Sequence, residues 1–333
     1  MVKEALALVG AGYWGSNYIK TLRDTKEADL RWVCDSRNPK IAIPSGTRFT
    51  QNYREVLDDS EVRGVVIATP TNTHYELAKE ALEAGKHVLV EKPMTHNVER
   101  AIGLVDIAEK SGKQLLVGHT FLYNPAVQQL KSYIDDGELG RILSMSARRL
   151  SLGPIRDKDN VLWDLAPHDI SMFLYLTDDK VKSVNATGAS LEVPKQGLED
   201  IITLSLNFDK GVYATLTASW MYPLKMRDLV VVGDKKMAIF DDIALNKLAI
   251  YDKGVEEIGD VNLQDYSITC REGEIRMPKV IGTSPLEVEC SHFIKCIREG
   301  IKPLSDGKIG LEVVRVLSAA QQSLKNNGEA VFL

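Results

Sequence analysis

Three groups of residues have the types and the spacing to do chemistry. The first is Gly10-Ala11-Gly12-Tyr13-Trp14-Gly15, a GxGxxG pattern. In such a pattern Gly10 permits a tight turn and Gly12 lets the backbone approach a pyrophosphate with no Cβ in the way. Gly15 lets a helix pack closely on a strand. A helix opening at Gly15 would point unpaired N–H groups and a partial positive charge at the phosphates. Tyr13 and Trp14 lie inside the loop and join the candidate cofactor contacts. Asp35 follows Gly15 by twenty residues, where a carboxylate can accept from the adenine ribose hydroxyls. Ser36 and Arg37 come next. Asp35 repels a 2′-phosphate and so favours NAD. Arg37 can stack on adenine or pair with a phosphate, which keeps NADP as the alternative.

The second group is Glu91-Lys92-Pro93, directly after an apolar run. A lysine at the carboxyl end of a parallel strand points into the crevice where such sheets bind ligands. Its ammonium could hold a substrate hydroxyl or share its proton, and burial beside a cofactor would lower its pKa. The alternative is a charged turn stiffened by proline. The third group is Asp164 to His168, an i,i+4 pair on one helix face. It reads as a histidine general base oriented by a carboxylate. Alternatively, Asp164 caps the helix and His168 packs in its first turn. Pro167 fits only a first turn, so the helix is expected to start near Asp164.

These groups need elements to position them. Over the first 120 residues, short apolar runs (Ala5–Val9, Leu30–Cys34, Val65–Ala68, His87–Val90, Gln114–Val117) alternate with helical patterns at Trp14–Arg23, His74–Ala84 and Val98–Lys110. That alternation predicts a doubly wound α/β Rossmann fold, a parallel sheet with helices on both faces. The period then changes. A helix is expected over Pro125–Asp135, followed by longer alternating stretches at Ile142–Leu150, Val181–Ser190, Ile201–Phe208, Val212–Trp220 and Leu229–Val232. Turn signals such as Asp209-Lys210-Gly211 join them, which predicts a large, mostly antiparallel open sheet in an α+β C-terminal domain. Helices over about Pro285–Glu299 and Lys308–Asn326 close the chain. The expected division is 1–120 for the dinucleotide domain and 121–333 for substrate binding and oligomerisation, with the final helix free to pack back on the first domain.

The order GxGxxG, acidic strand end, Glu-Lys-Pro, then DxxxH before a sheet domain resembles the Gfo/Idh/MocA oxidoreductases. Ala68-Thr69-Pro70-Thr71-Asn72-Thr73-His74 and Asp306-Gly307 extend the resemblance over nearly the whole chain. It implies that Thr69, Pro70, Asn72 and His74 line the nicotinamide half of the dinucleotide. It also implies that Glu91 lies near the nicotinamide ribose and that Lys92, Asp164 and His168 surround the reacting carbon of a sugar or polyol. The Lys92–Pro93 bond is expected to be cis. Trp163-Asp164-Leu165-Ala166-Pro167-His168-Asp169 and the Tyr13-Trp14 pair resemble the subset acting on nucleotide-linked or amino sugars. Tyr123 and Asn124, where the chain leaves the first domain, are expected either to face the substrate or only to cap and pack. One of Arg148 and Arg149 at most should reach the same cleft, because a strand shows alternate residues to opposite faces.

The implied activity is NAD-dependent hydride transfer between nicotinamide and a secondary hydroxyl or ketone. The alternatives are a keto-sugar nucleotide reductase using NAD(P)H and a non-catalytic dinucleotide sensor of the same fold. Lys92 and His168 together argue against the sensor, which needs no proton carrier. Composition narrows the field. The 333 residues carry 41 Lys+Arg and 46 Asp+Glu, a net charge of −5, which argues against a nucleic-acid partner. Four scattered cysteines (Cys34, Cys270, Cys290, Cys296) and six histidines without metal-ligand spacing predict no disulfide and no metal. No apolar run is long enough to span a bilayer. A cytoplasmic location follows, and the only protein partners expected are copies of itself. Val212, Ala214, Leu216 and Ala218 would pack subunits into a homodimer or homotetramer if the open face of the second sheet is apolar.

Overall fold

In the computed structural model, residues 3–153, 159–191, 197–257 and 268–333 are described. The chain forms two compact units, Met1–Asn124 with Thr283–Ser318, and Pro125–Gly282 with Ala319–Leu333.

The first unit holds β1 (Glu4–Val9), α1 (Gly15–Asp24), β2 (Ala28–Cys34), β3 (Arg48–Thr50), α2 (Tyr53–Asp58), β4 (Gly64–Ile67), α3 (His74–Glu83), β5 (His87–Glu91), α4 (Val98–Ser111) and β6 (Leu115–Gly118). The six strands are parallel in the order β3-β2-β1-β4-β5-β6. The order reverses between β1 and β4, and their carboxyl ends carry Gly10 and Ala68. Such a reversal is where open α/β sheets bind ligands. The strands are buried on both faces, which explains why they read as continuous apolar runs.

The unit is not contiguous in sequence. After the second unit come α7 (Pro285–Glu299) and α8 (Gly307–Lys325). Phe293 and Ile297 of α7 close on Gly64 and Leu6 at one face of the sheet. Leu311 and Val314 of α8 join Ala78, Leu82, Ala101 and Leu104 in the apolar core of the other face. Between the two helices, Ser305 accepts from the Val117 N–H at 2.8 Å and Asp306 bridges Leu116. This segment therefore covers the outer edge of β6, which would otherwise present unpaired backbone groups.

The second unit holds α5 (Pro125–Asp135), β7 (Ile142–Leu152), α6 (Val161–Thr177), β8 (Val181–Ala189), β9 (Ile201–Phe208), β10 (Tyr213–Ser219), β11 (Met221–Gly233), β12 (Met237–Asp241), β13 (Leu248–Glu257), β14 (Ile268–Arg276) and β15 (Val331–Phe332). Its nine-stranded sheet runs β14-β13-β12-β11-β7-β10-β9-β8-β15, and only the β7–β10 pairing is parallel. One face is packed by α6. Ala214, Leu216 and Ala218 are buried on that face, so they are not part of the open one. The open face instead carries Ser144, Ser146, Thr203, Ser205, Thr215 and Thr217, with Val230 and Val232 beside them in register. That face thus bears hydroxyls on β7, β9 and β10 and turns apolar from β11 to β13, where Met237, Ile239, Ala249 and Tyr251 continue the register.

Arg149 on β7 faces inward and pairs with Asp169 on α6. Its Nη2–H donates to Oδ1 at 3.0 Å, and its Nε–H to Oδ2. Both side chains are at least 95% buried. The two parallel bonds fix the rotation of α6 about its axis, and so the direction of the neighbouring His168. Arg148, on the opposite face, pairs with Asp228 of β11. Each arginine thus has a carboxylate partner, Arg149 inward and Arg148 on the open face.

Breaking the buried pair from one side leaves a charge without compensation. Asp169→Ala should therefore cost about 3–5 kcal/mol of stability in urea unfolding, and Asp169→Leu with Arg149→Met much less. Equal losses in the two proteins would show that the pair is not acting as a buried charge couple.

Candidate active site

The glycine loop is held by contacts that only glycine allows. Gly10 has φ +95°, and a Cβ there would lie 2.7 Å from the Ala68 carbonyl. A Cβ on Gly15 would lie 1.9 Å from the Gly10 oxygen, so α1 starts in direct backbone contact with the turn. A Cβ on Gly12 meets nothing within 4 Å. Space therefore lies open at the one glycine where a pyrophosphate is expected to approach, and the residues present fit a dinucleotide.

Asp35 stands half-exposed at the end of β2. It accepts from the Ala11 N–H at 2.7 Å and the Arg37 N–H at 2.9 Å. It thus ties the glycine loop to β2, and Ser36 and Arg37 are exposed beside it. Tyr13 is 90% exposed. Trp14, the residue before α1, donates its indole N–H to Glu91 Oε1.

After β4, Pro70 and Asn72 are exposed and Thr69 is half-buried. His74 is buried. Its Nδ1 lies 3.0 Å from the Pro93 carbonyl and its Nε2 2.9 Å from the Thr69 carbonyl. Burial pushes its pKa down, and the Lys92 charge adds to this. Both ring nitrogens face carbonyls, which oppose the effect of burial, and the ring joins the Thr69 loop to the Lys92–Pro93 turn, so its place is behind the loop surface. The Lys92–Pro93 bond is cis.

Glu91 is buried at the end of β5. Oε1 accepts from Trp14 and from the Tyr18 hydroxyl (2.8 Å), and Oε2 accepts from the Lys92 N–H (3.1 Å). Lys92 itself is half-buried. His119, one residue after β6, is fully buried, and neither ring nitrogen has a hydrogen-bond partner among the described residues. Burial and the Lys92 charge push its pKa down to about 3. Spacing singled out neither Tyr18 nor His119 as a site residue, because each reads as an ordinary position in an apolar segment.

Tyr123 and Asn124 are buried in the first unit. The Tyr123 hydroxyl is 3.1 Å from Ser305 Oγ, and its ring packs on His292. This favours the packing alternative over substrate contact.

In the second unit α6 begins at Val161, three residues earlier than expected. Asn160 is its cap, accepting from the Trp163 N–H at 3.3 Å. Pro167 is inside the helix, where it has no N–H to give the Trp163 carbonyl. Asp164 lies in the first turn. Its Oδ2 accepts from the Trp220 indole N–H at 3.2 Å, and it shares a half-buried face with His168. Among the described residues no cluster could hold a metal ion, and no helix is long and apolar enough to cross a membrane.

A strand-order reversal, an open glycine loop and a lysine at a strand end define a dinucleotide-binding oxidoreductase site. Residues 5–119 match the model of an oxidoreductase family with an NAD-binding Rossmann fold, and residues 127–239 match the GFO/IDH/MocA C-terminal domain. The chain belongs to the Gfo/Idh/MocA family of NAD-dependent oxidoreductases. It is 32% identical to a protein of Magnetospirillum magnetotacticum MS-1 whose structure covers 95% of this chain and 99% of that one, with a TM-score of 0.82. It is 29% identical to the UDP-N-acetylglucosamine 3-dehydrogenase of Acidithiobacillus ferrooxidans over 79% of this chain and 78% of that one. To the myo-inositol 2-dehydrogenase of Thermotoga maritima it is 24% identical over 96% of each chain.

The glycines separate two effects. Gly12→Ala should fold with the parent's Tm and bind NADH at least about tenfold more weakly, because its Cβ enters only the ligand space. Gly15→Ala should lower Tm as well. NADH fluorescence titration and thermal melting check both, and undiminished binding by Gly12→Ala would remove Gly12 from the cofactor site.

Proposed function

We propose that the protein oxidises a secondary hydroxyl of a sugar, polyol or nucleotide-linked sugar. The supporting observation is a family member that keeps a lysine at the β5 end together with the Asp164–His168 pair on α6. The relatives act on UDP-N-acetylglucosamine and myo-inositol, both polyhydroxylated rings, and the former supports a UDP-sugar 3-dehydrogenase type of reaction.

His168 accepts the hydroxyl proton as general base. Asp164, held by Trp220, orients His168 or a second ring hydroxyl. Lys92 holds the oxygen as its negative charge develops. Bound NAD supplies the hydride acceptor. Asp35 favours NAD over NADP, and Gly12, Tyr13, Trp14, Thr69, Pro70, Asn72 and Glu91 make up the cofactor side. His74 supports that side from behind.

With three of its four free thiols buried, the protein is assigned to the reducing cytoplasm. It assembles as a homodimer or homotetramer through the second sheet, where Val230, Val232, Met237 and Ile239 lie together on the face opposite α6. Light scattering should therefore give a multiple of the 37.0 kDa chain; a monomer at working concentration would end that assignment.

With a set of UDP-sugars and inositols as substrates, His168→Ala should lose about 10²–10⁴-fold in kcat. Lys92→Ala should lose about 10²–10³-fold, and both should keep NADH affinity near the parent's. Parent-like turnover in both variants would overturn the assignment.

A further inference from the structure

The mechanism leaves one buried titratable group unused. Glu289 on α7 is fully buried and faces Glu91 across the Tyr18 hydroxyl. Tyr18 Oη is 2.8 Å from Glu91 Oε1 and 3.3 Å from Glu289 Oε2. A phenol has one proton, so Tyr18 can donate to only one carboxylate, and the shorter contact takes it. Glu91 then has three donors: Tyr18, the Trp14 indole and the Lys92 N–H. Glu289 has the Thr120 hydroxyl at 3.3 Å, and its Oε1 has no partner among the described residues.

The titratable groups facing Glu289 are Tyr18 from α1, Glu91 from β5, Tyr123 after β6, and Cys290 on its own helix. None is a cation. Burial and the Glu91 charge both drive Glu289 toward its neutral form. Burial also raises Glu91, but Tyr18, the Lys92 charge and Trp14 pull it back. Between two carboxylates sharing one tyrosine, the proton therefore resides on Glu289.

We propose that Glu289 is a neutral carboxylic acid that positions Glu91: its O–H donates to Tyr18, which commits the Tyr18 proton to Glu91 beside Lys92. The chain runs Glu289 to Tyr18 to Glu91, each hydroxyl donating to the next oxygen. The two carboxyl groups hold one proton and one negative charge between them. This inference rests on the placing of Glu91 at the cofactor side, proposed above.

The test begins without any ligand. An acid whose folded pKa is raised binds its proton more tightly in the folded state, so its contribution to stability falls as pH rises above the unfolded value. Glu289→Gln keeps the shape and a donor but has no proton to lose. Its Tm relative to the parent should therefore climb as pH rises above about 5. A flat or falling difference means that Glu289 is ionised in the folded protein, and overturns the proposal. If the variant does not fold, the infrared spectrum of the parent decides. A carbonyl band of a protonated buried acid at neutral pH, shifted by ¹³C-glutamate, supports the proposal, and its absence overturns it.

The positioning role is read by NADH titration. Glu289→Gln should bind like the parent and Glu289→Met, which has no donor, about tenfold more weakly. Parent-like binding by Glu289→Met overturns the positioning role. If instead Glu91 is not at the cofactor side, Glu91→Gln will bind NADH like the parent while the stability trend persists, so the two failures are distinguishable.

Discussion

The structure of the first unit depends on a contact between two pieces of backbone. The Gly15 Cα lies so close to the Gly10 carbonyl that any side chain at 15 would overlap it. This contact sets where α1 begins. The start of α1 in turn places Trp14 and Tyr18, and both deliver hydrogen bonds to Glu91. Glu91 is joined through its own backbone to Lys92. A glycine pair needed for close helix packing thus also determines the direction in which the proposed proton-handling lysine is presented.

The second unit solves the same problem with charge. Its candidate residues sit on a helix rather than at a strand end, so the rotation of that helix decides where they point. The two parallel bonds from Arg149 to Asp169 add a directional restraint to its apolar packing. Asp164 receives a further restraint from Trp220 on the strand side. Burying an ion pair is a weak source of stability, so its use here is better explained by orientation.

Much of this was legible in the sequence. The bounds of α5, α7 and β9 follow from the apolar period, and the cofactor loop follows from glycine spacing. What was missed shares one physical character, dependence on distant partners. Pro167 suggested a helix start because proline favours a first turn, yet Asn160 caps the helix earlier and the burial of Val161 and Leu162 holds that extra turn. The packing of the final helix on the first unit was open from the sequence, but the return of α7 leaves no local trace, since an amphipathic helix does not record which sheet it covers. Val212, Ala214, Leu216 and Ala218 alternate as an open stripe would, yet all four are buried, because alternation identifies two faces but not which one is covered. Tyr123 is buried because Ser305, far away in sequence, satisfies its hydroxyl.

The electrostatics around Lys92 follow from the same burial. His74 and His119 are both placed where an imidazolium would be desolvated and would face the Lys92 ammonium. Both effects act in one direction at His119, so that ring stays neutral at physiological pH, while at His74 the carbonyls of Thr69 and Pro93 offset part of the lowering. Glu91 carries the negative charge adjacent to Lys92, and a second carboxylate charge at Glu289 would lack a cation to offset it. The low dielectric that makes each of these charges expensive therefore selects one lysine and one carboxylate as the charged partners of this cluster. The overall charge of −5 has little bearing on this arrangement, since exposed charges are screened by solvent and salt and this partly buried pair much less so.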